Sequence, residues 1–214
     1  MQETKPVIIL LGPQGSGKGT QGKRLAQKLD LPYLETGQLL RDEIASGSEL
    51  GNRFASIINS GWHLEDEDIN AFMKDTIHQT LVQFGGFALD GFPRSIGQAD
   101  ASDSVALPSH VILIDIPDEE SIRRLSARRQ CSVDGKIYNM ITNPPKQGEV
   151  CDECGAKLIQ RADDTKEGIQ KRLDWYHKDT KPLIERYAKQ GVLHRIDGTP
   201  SIQEVEKSVD KIFS

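Results

Sequence analysis

Residues 12–20 read Gly-Pro-Gln-Gly-Ser-Gly-Lys-Gly-Thr and follow directly on the apolar run Val7-Ile8-Ile9-Leu10-Leu11. Four glycines let the backbone curl until successive amide N–H groups converge on anionic oxygens, while Lys18 adds a mobile point charge for terminal phosphates. The helix expected over 21–29 turns its positive end toward the same place. The chemistry is the binding of a nucleoside triphosphate. A tight turn between strand and helix needs only a glycine or two, whereas here a full GxxxxGK match lies between an apolar strand and a helical stretch. The general pattern places Ser or Thr immediately after the lysine, to approach Mg²⁺; in this chain that position is Gly19 and the hydroxyl follows at Thr20.

Further along lie charged residues suited to the same kind of ligand. They are Arg41 in Thr36-Gly37-Gln38-Leu39-Leu40-Arg41, Arg94 in Asp90-Gly91-Phe92-Pro93-Arg94, the pairs Arg123-Arg124 and Arg128-Arg129, Arg161 in Arg161-Ala162-Asp163-Asp164, and Arg172. Planar guanidinium forks grip phosphate oxygens in pairs. Phosphoryl transfer through a loose transition state needs positioning and charge neutralisation more than a strong base, and such arginines supply both. A third kind of chemistry is offered by Cys131-Ser132-Val133-Asp134 and Cys151-Asp152-Glu153-Cys154, two hooks with two residues inside each. Paired hooks of this kind hold tetrahedral zinc, and a carboxylate at Asp134 is a competent fourth ligand.

These groups must be positioned by elements, and short apolar runs recur at 7–11, 31–34, 86–89, 111–116 and 192–196. Separated mostly by segments of helical period, they predict a five-stranded parallel sheet. In 64–84, Ile69, Phe72, Met73, Ile77, Leu81 and Phe84 fall at spacings of three and four behind an acidic opening at 65–68, the pattern of a core-facing helix. A helix from Asp118 is expected to carry all four paired arginines, with Arg124 and Arg128 on one face, and another to run unbroken from Asp164 to about Gln190. Residues 36–63 read as two short helices joined at Ser46-Gly47-Ser48, an unusually long connection between neighbouring strands. Residues 130–160, rich in turn formers, read as a small insert of hairpins and loops that needs a staple.

With these five ordered strings the chain resembles the adenylate kinases throughout its length. The resemblance implies an α/β P-loop fold, a three-layer sandwich with a core of 1–35, 64–129 and 161–214, a helical monophosphate-binding insert at 36–63 and a small β-rich lid at 130–160. It implies reversible transfer of the γ-phosphoryl group of Mg-ATP to AMP, giving two ADP. Gly15, Ser16, Gly17, Lys18, Gly19 and Thr20 would hold the donor phosphates together with Arg124 and Arg128. Thr36, Arg41, Gly91, Arg94 and Gln98 would hold AMP, with Gln98 reading its base edge. Arg161 and Arg172 would close on the donor phosphates and also contact AMP, and Asp90 would orient water on Mg²⁺. Many bacterial members carry a four-cysteine lid at this spacing, or three cysteines with an aspartate in the final hook; Asp134 departs by lying in the first hook, and Cys131, Asp134, Cys151 and Cys154 are the implied ligands of a structural zinc, the other reading being a metal-free lid with three reduced thiols. Arg123 and Arg129 are read as surface residues, and Tyr138 as hairpin packing.

Composition narrows the remaining classes. A formal net charge of −5 argues against a broad nucleic-acid surface, and 36% hydrophobic with 28% charged residues is that of a globular protein. No membrane partner, leader or spanning segment is expected, three cysteines are too few for a disulfide scaffold, and the cytosol is the expected compartment. The resemblance also implies a monomer. Two other readings use the same residues: a kinase for UMP or CMP, or one taking GTP, which the long lid disfavours; and a P-loop switch using its cysteines as a nucleic-acid module, which the acidic balance disfavours.

Overall fold

The structure is a computed structural model and describes residues 5–59 and 66–214. Residues 60–63 of the expected helical insert, and Leu64 and Glu65 at the expected opening of the following helix, lie outside the described residues.

Five parallel strands form the core sheet: β1 (Val7–Leu11), β2 (Tyr33–Glu35), β3 (Phe87–Asp90), β4 (His110–Asp115) and, late in the chain, β8 (Leu193–Asp197), in the order β2-β3-β1-β4-β8. The runs are aliphatic because both faces are covered. Alternate residues of β1 divide between the two faces: Ile8 and Leu10 pack with Leu25, Ala26, Val205 and Val209, whereas Ile9 and Leu11 pack with Leu183, Ile184 and Tyr187. The helices supplying those partners are α1 (Lys18–Lys28) and α9 (Ile202–Asp210) on one face and α8 (Pro182–Lys189) on the other. The chain leaves β1 for β2 and β3 on one side, then for β4 and β8 on the other. The carboxyl end of β1 is therefore the switch point, where open α/β sheets leave a crevice for ligands.

Two short helices, α2 (Thr36–Ser46) and α3 (Glu49–Asn59), follow β2, turning at Gly47 with φ 70°. The next helix, α4 (Asp66–Phe84), buries Ile69, Met73 and Ile77, but Phe84 ends it 45% exposed rather than core-facing. A short α5 (Ile96–Asp103) begins on a Ser95 side-chain cap.

Two further expectations differ from the structure. The helix α6 (Asp118–Ser126) carries Arg123 and Arg124 only; Arg128 and Arg129 belong to strand β5 (Arg128–Cys131). Antiparallel pairing of β5 with β6 (Ile137–Asn139) and β7 (Leu158–Ile159) overrides the local helical charge pattern, so Arg124 and Arg128 do not share a helix face. The expected single helix over 164–190 is instead α7 (Lys166–Trp175), a π-helical turn (Tyr176–Thr180) and α8. It starts on a Thr165 side-chain cap, and the wider turn closes through Lys181 N–H to the Tyr176 carbonyl at 2.8 Å, just before Pro182.

Candidate active site and metal centre

The loop after β1 curls as its glycines require. Gly12 has φ 137°, and a Cβ there would lie 2.1 Å from the Ile114 carbonyl oxygen, so no side chain fits. Gly17, with φ 99°, caps α1. Inside the loop the Ser16 Oγ is buried without a hydrogen-bond partner, a donor left for an anionic ligand. Lys18 donates to the Gly12 and Pro13 carbonyls at 2.7 and 2.8 Å. Burial lowers its pKa to about 8; the Asp90 charge opposes that shift, and Arg94 and Arg128 reinforce it. Gly19 and the exposed Thr20 open the helix beyond the lysine.

At the ends of β2 and β3 the strings Thr36–Arg41 and Asp90–Arg94 meet. The buried Thr36 hydroxyl donates to the Asp90 carbonyl at 3.0 Å, and a Cβ on Gly91 would meet Arg94 Nη2 at 3.2 Å and Thr36 Cβ at 3.4 Å. Arg94 is held on three sides: its Nε donates to the Gly91 carbonyl, its amide to Gln98 Oε1 and its carbonyl accepts from the Thr180 hydroxyl, at 2.7, 2.7 and 2.9 Å. The Gln98 oxygen thus anchors the Arg94 backbone. Arg41, exposed on α2, bonds Gln38 at 2.8 Å and lies 3.6 Å from Glu35.

The later arginines gather over this crevice. Arg128 takes both oxygens of Asp164 at 2.7 and 2.5 Å, and Arg172 shares Oδ1 at 2.7 Å while reaching Asp163 at 2.9 Å. Burial alone would raise the Asp164 pKa, but the hydrogen bonds from Arg128 and Arg172 outweigh it and hold the carboxyl below its ordinary value. Arg161 donates to Gln130 Oε1 at 2.6 Å; burial, then the charges of Arg128 and Arg41, depress its pKa. Arg94 keeps solvent access, yet surrounding protein and then the charge of Arg172 depress it too, against the pull of Asp90. Cations from the loop, both short strings and the second sheet thus feel one another's charge, which Asp90 and Asp164 offset in part and a polyanion between them would offset further. Arg124 is turned to a different neighbourhood, bonded to Glu120 at 2.5 Å and to the Thr199 carbonyl at 3.2 Å. Arg123 also pairs with Glu120 and is exposed, as expected of a surface residue, whereas Arg129 is half-buried and lies 3.6 Å from Glu149.

The adenylate kinase family matches residues 10–192. The chain belongs to that family. An adenylate kinase of Methanothrix thermoacetophila is 42% identical over 97% of this chain and 98% of its own length. Those of Archaeoglobus fulgidus and Methanosarcina barkeri are 39% and 41% identical over 96% of this chain and 97% of theirs. As an adenylate kinase the chain is a nucleotide-binding enzyme, a phosphotransferase converting ATP and AMP into two ADP.

The second sheet of this adenylate kinase carries a compact donor cluster. One ligand atom from each of Cys131, Asp134, Cys151 and Cys154 lies within 4.8 Å of every other. Cys131 and Cys154 sulfurs are 3.4 Å apart, and Cys151 Sγ lies 3.3 Å from Asp134 Oδ2. Four ligands at about 2.0–2.3 Å from a tetrahedral ion stand about 3.5 Å apart, so the set is near that spacing. Amide groups of Val133 and Asp134 donate to Cys131 Sγ at 3.4 Å, and the Cys131 contact foremost holds Asp134 below the usual carboxylate range. Tyr138 is buried beside this cluster, its hydroxyl accepting from Asp152 N–H at 2.8 Å and lying 3.4 Å from Cys151 Sγ.

Several residues of the site carry no sequence motif. Tyr33 donates to Asp90 Oδ2 at 2.8 Å, Thr180 reaches the Arg94 carbonyl, and Gln130 bonds Arg161. Asp163 and Asp164 lie inside a recognised string that gives neither of them a role. Tyr33 is the first residue of the three-residue strand β2, and no local signal in the sequence points to it.

Proposed function

We propose that this chain divides the phosphoryl transfer among its residues by their place around the crevice. The loop 15–20 receives the triphosphate, with Ser16 donating to an oxygen and Lys18 released from the Gly12 and Pro13 carbonyls to follow the transferred group. Arg41 and Arg94 grip the phosphate of AMP, whose base lies against Thr36, Gly91 and Gln98. Arg128, Arg161 and Arg172 neutralise charge on the moving phosphoryl group from above, and Arg124 flanks the donor nucleotide.

The convergence of Lys18, Arg94, Arg128, Arg161 and Arg172 at the carboxyl end of β1 is the observation that carries this reading. Asp90, the hard oxygen donor beside Lys18, suits the Mg²⁺ that accompanies ATP. When bound, that ion screens the polyphosphate, while Asp90 holds water at its edge. Residues 36–63 act as the acceptor insert and 130–160 as a lid that excludes water, so that ATP is not simply hydrolysed. The three sulfurs and Asp134 hold a structural zinc that staples the lid.

One chain supplies both the donor loop and the acceptor arginines, which supports a working monomer. Among the described residues no helix is long and apolar enough to cross a membrane, and three free thiols fit a reducing cytosol. The test is a coupled phosphotransfer assay with ATP against AMP, UMP, CMP and GMP. AMP is expected to be strongly preferred; preference for UMP or CMP overturns the base assignment, and transfer to none overturns the division of roles.

A further inference from the structure

Tyr33 opens β2 and Asp90 closes β3, its parallel neighbour, where Tyr33 pairs with Ala88 and Glu35 with Asp90. The tyrosine ring packs, partly buried, against the core face that also holds Leu10, Leu25 and Ala88, and its hydroxyl reaches Asp90 Oδ2 at 2.8 Å. The phenol hydroxyl is the donor of this bond and the carboxylate oxygen its acceptor. A hydrogen bond from a neutral donor to a carboxylate is charge-assisted and directional.

The first turns of α1 leave room for this reach. A Cβ on Gly22 would lie 2.6 Å from Tyr33 Cε2, so no side chain is tolerated there without moving the ring. A Cβ on Gly19 would lie 3.7 Å from Asp90 Oδ2 and 3.8 Å from the Tyr33 hydroxyl. A serine at 19, as the general phosphate loop has, would bring its own hydroxyl to the carboxylate. In this chain the phenol comes to the carboxylate from the neighbouring strand instead. Its effect on Lys18 is also physical: Lys18 and Asp90 attract each other, yet Lys18 bonds the Gly12 and Pro13 carbonyls and forms no ion pair with Asp90.

We propose that Tyr33 is a positioning residue for phosphoryl transfer, its hydroxyl fixing the Asp90 carboxylate toward the nucleotide's Mg²⁺ and away from Lys18. The inference rests on the reading of Asp90 given above. Without the hydroxyl the carboxylate is free to turn and is lost to the metal.

The experiment compares wild type, Tyr33→Phe, Gly22→Ala and Asp90→Asn by magnesium titration of turnover and by calorimetry of ATP binding with and without Mg²⁺. Tyr33→Phe is expected to raise the magnesium midpoint about tenfold and to shrink the affinity gained by adding Mg²⁺, with metal-free ATP affinity and the KM for AMP within about twofold of wild type. Gly22→Ala should shift the midpoint in the same direction, and combining it with Tyr33→Phe should add nothing. If Asp90→Asn shifts the magnesium dependence and Tyr33→Phe does not, the role of Tyr33 is overturned while that of Asp90 stands. If Asp90→Asn leaves it unchanged, the reading of Asp90 fails and the inference falls with it. Equal loss of metal-free ATP and AMP binding in Tyr33→Phe, with a lower melting temperature, assigns Tyr33 to structure alone.

Discussion

Lys18 is a cation held in surroundings that disfavour its charge. Its pKa near 8 lies below the ordinary 10.5, because burial outweighs the attraction of Asp90. Between those values the unfolded chain binds more protons than the folded one, so this group makes the ligand-free protein more stable as pH rises from about 8 to 10.5. Polyphosphate reverses the balance by favouring the ammonium form. At roughly pH 8.5 the binding of ATP should therefore take up a fraction of a proton, read as a dependence of the calorimetric enthalpy on buffer ionisation. Lys18→Met should bind with no such uptake, and uptake that survives the substitution would place the titrating group elsewhere. This residue was legible from its motif alone. Tyr33, the partner of Asp90, was not, because nothing in a three-residue strand announces which carboxylate its hydroxyl will meet.

At the scale of elements, Asp164 joins the second sheet to α7. The side chain has no solvent exposure and answers two guanidinium groups, Arg128 on β5 and Arg172 on α7. Asp164→Asn keeps the shape and removes the charge that compensates them, so it should destabilise the protein by roughly 3 kcal/mol in urea denaturation. Since the carboxyl is held below its ordinary 3.8, its contribution is complete above that value and is lost as pH falls beneath it. The cysteine cluster is the second joint. Protein purified without added metal should contain close to one equivalent of zinc, and Cys151→Ser should lower the melting temperature more than it lowers turnover at moderate temperature. Well under one equivalent, with melting unchanged by chelator, would sink the staple. Hook spacing made the cluster legible. The end of α6 was not: a run of arginines after an acidic start reads as helix until β6 and β7 draw residues 128–131 into a sheet.

Over the whole molecule, a formal charge of −5 coexists with a cleft lined by cations. An acidic exterior discourages broad polyanions, while the cleft focuses attraction on small ones. Raising ionic strength from about 0.05 to 0.5 M should weaken ATP and AMP binding progressively, as screening shortens the reach of exposed charges such as Arg41. A salt-independent affinity would show that exposed cations contribute little. Sedimentation should return a single species near 23.8 kDa, the mass of one chain.

The sequence by itself determined the glycine-rich loop, the five strands, two short helices within 36–63, the five ordered strings of the family and the grouping of three cysteines with Asp134. Each of these rests on local spacing: glycine runs, apolar runs, hooks of two. Tertiary structure alone decided that Arg128 leaves α6 for a strand, that the last long helix widens at Tyr176–Thr180, that Gln98 and Thr180 pin the Arg94 backbone, and that Tyr33 meets Asp90. These depend on strand pairing and on contacts between residues as far apart as Arg94 and Thr180, where the partner that completes each polar group comes from another element. Local pattern cannot name that partner; only the packing of the sheet brings it within reach.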